Sequence, residues 1–265
     1  MIAMMLFSVI LTLGGQPESF WHHPETAIRG DGLSIDNATN HCFEFFLGRG
    51  WQYFLLVSML YISGAFVLVS ILPKKLALIV TLSFIFGHYF GGINWLAVHW
   101  HLGASGSGFY ALVLTSILVF SVFPTSTPTT DRAIKTLRWV MVIAMTIDMI
   151  NTLAGQPASY WLHPETVHEG NSFSRFLLLH GWYTYFLFDL IFFSALFWIV
   201  TILPRTWALT GIFYFIFVNF IGASNWFFYE WRMGMATPVA YGILLSAVIV
   251  VLAFPTSVST SNETE

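Results

Sequence analysis

Apolar runs and short polar breaks alternate eight times along this chain. The runs lie near 1–15, 51–72, 76–100, 107–123, 138–154, 182–203, 207–230 and 238–254. None alternates with a period of two, and backbone groups in lipid must satisfy one another, so runs of this length predict helices rather than strands. Prolines sit in the breaks, at Pro73, Pro124, Pro204 and Pro255, where a missing N–H costs least. Pro238 stands at the first turn of the last run, where its fixed φ suits a helix start. The pattern predicts an all-α integral membrane protein with eight transmembrane helices. The first run is short for a span, which takes about 20 residues. It also lacks the positive flank and the small-residue cleavage site of a signal peptide. It reads as a helix that begins below the bilayer surface, or as one whose start codon lies upstream.

The polar breaks repeat. GQPESFWHHPET, from Gly15 to Thr26, returns as GQPASYWLHPET, from Gly155 to Thr166, and ten of fourteen positions agree between Leu13–Thr26 and Leu153–Thr166. The correspondence then continues at an offset of 131 instead of 140. Ile71–Pro73 matches Ile202–Pro204, Asn94 and Trp95 match Asn225 and Trp226, and the FPTS at Phe123 matches that at Phe254. The difference is a nine-residue insertion in the first copy, RGDGLSIDN at Arg29–Asn37. The chain therefore reads as two tandem four-helix membrane repeats, 1–126 and 138–257, joined by an inner linker at 127–137 and followed by a disordered tail at 258–265. An even number of helices per copy gives both copies one orientation. Such parallel repeats are related by an axis along the membrane normal.

Composition sharpens this picture. Only 9% of the 265 residues are charged and the mean hydropathy is +0.74, against about 25% charged residues in a soluble domain, which excludes an ordinary soluble protein. Aromatic residues reach 18%, suiting lipid-facing surfaces and interfacial belts, so the lipid bilayer is the first expected partner. The net charge of −3 and the lack of any Lys/Arg run leave no face for nucleic acid. A single cysteine, Cys42, excludes an internal disulfide or a thiolate cluster. With the N-terminus inside, inner segments hold Lys74, Lys75, Arg132, Lys135, Arg138 and Arg205, and outer ones hold Arg29, Arg49, Arg175 and Arg232. That excess predicts cytoplasmic N- and C-termini, in the cell membrane if the source is prokaryotic.

This topology collects polar chemistry at the outer face. The cluster there includes His22, His23, His99, His163, Glu169 and Glu230. The bland reading is wet loops with Trp21 and Trp161 as interfacial anchors. The sharper one is a metal or proton site, since imidazole and carboxylate suit divalent ions. His99 and His101 are two apart, so on a helix their rings would diverge by about 200° and form no chelate. No spacing fixes a metal or a cofactor, and both stay unknown. Glu44 with Arg175, and His99 with Glu230, occupy equivalent positions and carry complementary groups, so they are candidate bridges between repeats.

Ionisable groups within the spans are more informative, since each costs about 2.5–3.5 kcal/mol or more at the bilayer centre. Asp148 lies in the fifth run with Asn151 and Thr152 at i+3 and i+4, and Asp189 lies two turns into the sixth. The first copy has Ser8, Leu11 and Ser58 at the positions of Asp148, Asn151 and Asp189. Helix–helix glue is one reading of the acids and function is the other. The third run carries His88, Gly92, Trp95 and His99 on one face and Gly91 and Asn94 on another. The seventh run matches them with Asn219, Ala223, Trp226 and Glu230, and with Gly222 and Asn225. His88 has no histidine mate at equal depth for a buried haem.

No P-loop, GxSxG, kinase, zincin or dinucleotide fingerprint occurs. The leading reading is a small permease for a solute or ion, with intramembrane acids and a His/Asp/Glu-rich outer vestibule. A non-catalytic subunit with a membrane-protein partner is the alternative. A membrane-embedded enzyme at the outer leaflet, with or without a metal, is the third.

Overall fold

The computed structural model describes residues 1–27, 45–98, 103–122, 128–234 and 236–254. Among the described residues there are helices and no strand. The α-helices are α1 (Ile2–Gly14), α2 (Trp51–Ile71), α3 (Lys74–Val98), α4 (Gly103–Val122) and α5 (Pro128–Ala154), then α6 (Ser172–Leu179), α7 (Trp182–Ile202), α8 (Arg205–Asn225) and α9 (Ala236–Ala253). A π-helical turn, Trp226–Glu230, extends α8.

The sequence pattern predicts eight spans, and five helices are long and apolar enough to cross a membrane by length and composition. They are α2, Lys74–Ile93 of α3, α7, Arg205–Phe228 and α9. Two more are apolar but shorter: α1, and Gly108–Ser121 of α4. The helix α5 starts at Pro128, well ahead of the apolar run at 138–154. Proline suits a first helical turn and Asp131 suits its positive dipole end. The added turns bury Ala133 and Leu137 and leave Asp131, Arg132 and Lys135 exposed. The expected linker at 127–137 is therefore largely an amphipathic extension of a helix. Arg205 at the start of α8 donates to Asp131 Oδ2 at 2.6 Å and ties the two helix starts together.

The core is built around α8. This helix packs most extensively on α5 and also meets α4, α7 and α9. Ile212, Phe213, Ile216, Phe217 and Phe220 are buried along it. The helix α3 is its counterpart, packed on α9, α1, α4 and α2. The two meet through rings, with Phe86 4.5 Å from Phe217 and 4.7 Å from Phe220, and such pairs add about 0.5–1.5 kcal/mol each beyond area burial. The pairing is reciprocal, because α9 lies on α3 while α4 lies on α8. The outer helices α2 and α7 instead expose Leu60, Val67, Ile191 and Trp198, as a lipid-facing helix does.

Two loop regions adopt one conformation. The 3-10 turns Glu18–Trp21 and Pro24–Thr26 correspond to Ala158–Trp161 and Pro164–Thr166. His23 has φ −130° and ψ 80°, and His163 has φ −131° and ψ 82°. Gly50 and Gly181, which precede α2 and α7, both hold positive φ, 124° and 106°, a backbone region that side chains resist.

Candidate functional site

The repeated polar phrase is a fastener. Gln156 is buried at the end of α5, where its Nε2 donates to the Thr152 and His168 carbonyls, each at 2.9 Å. Its Oε1 accepts from the His168 backbone N–H, also at 2.9 Å. Tyr160 is buried and donates to the Leu178 carbonyl at 3.0 Å. Thr166 closes the HPET turn by donating to the His163 carbonyl at 2.8 Å. These bonds hold the segment after the turn, with Val167, His168 and Glu169, against the helix ends. His168 Nε2 then meets Glu230 Oε1 at 2.9 Å, on the π-helical turn.

Beneath that loop the acids gather. Asp148, from α5, lies within electrostatic reach of Glu169 from the loop and Asp189 from α7. Its carboxyl sits against the bare backbone of Gly222 on α8, where a Cβ would collide with it. Tyr185 lies one turn before Asp189 on α7, within electrostatic reach of Asp189, Asp148 and Glu169. Trp226 Nε1 donates to Thr152 Oγ1 at 3.1 Å and ties the π-helical turn to α5 beside the acids. Tyr241 of α9 lies within electrostatic reach of Asp148, and its hydroxyl is buried without a partner. Asn151 Nδ2 and Asn225 Oδ1 are likewise buried without partners, each at a cost of about 1–3 kcal/mol. Burial holds the Glu169 carboxyl above its ordinary range, against the opposing pull of backbone N–H groups at Asn171 and Gly170 and of His168.

The first-half positions that match Asp148 and Asp189 line open space. A cavity of about 630 Å³ lies between α1, α2, α3 and α9. Ser8 and Ser58, the counterparts of Asp148 and Asp189, both line it, and so do Thr12 and His88. Ser58 is 1% exposed and its hydroxyl has no partner. His88 is flanked by Tyr61, with centroids 6.0 Å apart, and by Phe84, stacked at 6.4 Å.

The remaining expected residues divide. His22, His23 and His163 are exposed. His23 pairs with Glu25 and His163 with Glu165, each at 3.2 Å within its own turn. Among the described residues no three of His, Cys, Asp or Glu are placed to hold one metal ion. His99, His101 and Glu44, and the side chain of Asn94, lie outside the described residues, so the two expected bridges fall there too. Sequence reasoning passed over Tyr185 and Tyr241. The first carried a usable signal, since it precedes Asp189 by four residues. The second had none, because α9 joins the acid group only through tertiary packing. Against protein families, curated proteins and solved structures, the chain has no match.

Proposed function

We propose that the chain is a membrane-embedded permease for a small solute or ion, built as two parallel four-helix units. Asp148, Asp189 and Glu169 form its proton-exchanging or cation-binding site. One observation carries the reading: three acids from α5, α7 and a loop converge beside two tyrosines, and the charged groups acting on Asp148 are both acids. A group of acids in an apolar bundle, with only the exposed His168 near it among the described residues, is a poor structural device. It is a good place to take up a proton or a cation. The duplicated sequence, the matched turn conformations and the reciprocal packing of α9 on α3 and α4 on α8 support the two-unit arrangement. In this arrangement the first unit keeps the same site as a neutral cavity. The two halves are then specialised, one for charge and one for an uncharged ligand.

The test is flux. Wild-type protein in liposomes loaded with a pH-sensitive dye should acidify the lumen when an inside-negative potassium potential is imposed. Asp148→Asn and Asp189→Asn keep shape and hydrogen bonding and remove the exchangeable charge, so each should cut the rate at least about tenfold. If the double variant conducts as wild type does, or the wild type conducts nothing, the subunit reading replaces this one. That second reading has its own support in the exposed rings of Phe109, Phe120, Trp198 and Trp207, which suit a helical partner as well as lipid.

A further inference from the structure

The cavity between α1, α2, α3 and α9 has a chemistry of its own, and the inference drawn from it does not depend on transport. Its volume of about 630 Å³ lies within the range of about 300–1,000 Å³ of small-molecule sites. It runs along α3 from Leu76 to Gly91, which at 1.5 Å per residue is about 22 Å. Among the described residues no carboxylate, lysine or arginine lines it. A charged ligand would find no ion-pair partner among them, which favours a neutral occupant.

The lining is graded. Near Leu76 it is aliphatic, with Ile79, Val80 and Met5. Toward Gly91 it carries rings and hydrogen-bonding groups: Ser58, Tyr61, Phe84, His88 and Phe90. Gly87 and Gly91 form part of this end, and an added Cβ at either would meet no atom within 4 Å. They leave a flat, empty wall beside the His88 and Phe84 rings. The Ser58 hydroxyl, fully buried in the cavity lining, has no partner in the protein. A buried hydroxyl normally finds a partner, so this one points to an acceptor or donor on a ligand. Leu76, Val239 and Ile243 line the cavity and keep 45%, 49% and 48% exposure. The cavity is therefore open among apolar side chains, a route that suits an apolar amphiphile.

We propose that this cavity binds a neutral amphiphile dissolved in the membrane, a planar carbonyl-bearing ring on a hydrocarbon chain, which is the chemistry of a membrane quinone. The ring lies against Gly87 and Gly91 beside His88 and Phe84. A ring carbonyl accepts from the Ser58 hydroxyl, and the chain follows α3 toward Leu76. Rings in the wall favour a flat π-bearing head over a branched one.

The probe is decylubiquinone, a quinone ring with a ten-carbon chain, titrated into the purified full chain in detergent while its thermal unfolding is followed. Decanol supplies a chain of the same length without the ring. The wild type should show a saturable rise in Tm with decylubiquinone and a much smaller one with decanol. Gly91→Leu and Gly87→Leu place side chains in empty space, so both should fold and lose the shift. Ser58→Ala should weaken the apparent Kd about tenfold, the worth of one hydrogen bond, while leaving the unliganded Tm equal or higher. A shift retained in both leucine variants, no saturable shift in the wild type, or equal shifts with decanol and decylubiquinone would each overturn the proposal. The last result would mean a groove for hydrocarbon alone. Because no flux is measured, a failure here leaves the permease reading standing, and the reverse also holds.

Discussion

At the scale of single residues, burial decides what each acid does. Glu18, Glu25 and Glu165 sit in water, where a carboxylate costs nothing. Glu169 differs only because Gln156 and the turn before it press its segment against the helix ends. Burial raises its pKa, so the folded chain binds its proton more tightly than the unfolded chain does. The sign follows: stability rises as pH falls through that raised value, and above it the buried charge costs stability. Between about pH 8 and about pH 5 the wild-type Tm in detergent should therefore climb. Glu169→Gln removes the titration but keeps an acceptor for the Asn171 N–H, now 2.7 Å away. Its Tm should be higher than wild type at the alkaline end and should climb less. Parallel curves for the two proteins would show that Glu169 is solvated in the folded chain.

At the scale of elements, the helix starts are set by backbone geometry more than by capping side chains. Neither α2 nor α7 has a side-chain cap, and each is entered through a glycine with positive φ. At Gly181 a Cβ would be strained by φ 106° and would also approach the Tyr183 ring at 2.6 Å. Tyr183 is exposed and can swing away, so the backbone strain is what remains. Gly181→Ala should cost about 1–3 kcal/mol, read from denaturant unfolding of the solubilised protein. An unchanged midpoint would mean that the turn relaxes freely. The short helix α6 is handled differently, since Asn171 Oδ1 accepts from the Phe173 and Ser174 N–H groups at 2.9 and 3.3 Å. The π-helical turn at Trp226–Glu230 is the other local irregularity. It places Trp226 over Thr152 and Glu230 beside His168, so a distortion of α8 serves the same site that the Gln156 fastener serves.

At the scale of the whole molecule, the two repeated turns share a backbone conformation while the helices behind them differ in content. Equivalent positions hold Ser8 and Ser58 around a void, and Asp148 and Asp189 among other acids and tyrosines. The topology proposed for both halves has the His163 turn outside and the start of α3 inside. In a Cys42→Ser background, a cysteine at His163 should react with an impermeant thiol reagent added to intact cells. One at Lys74 should react only after permeabilisation. Both positions are exposed on the protein, so burial would not mask the outcome. Labelling of Lys74 alone from outside would reverse the orientation.

The sequence alone determined that this chain is helical, with several helices apolar enough to cross a membrane, because hydropathy and the lack of strand alternation depend on nothing but local composition. It also marked Asp148 and Asp189, since a charge in an apolar helix is conspicuous wherever the helix goes. It did not separate full spans from short or charged helices, as α1 and α5 show, because an apolar run records neither where a helix begins nor how far polar turns extend it. Only tertiary structure joined Glu169, Tyr185 and Tyr241 to the acids and opened the cavity at Ser58. Those contacts run between helices far apart in sequence. Which face meets which depends on small residues such as Gly222, on ring packing and on where space is left over, and no period along the chain encodes that choice.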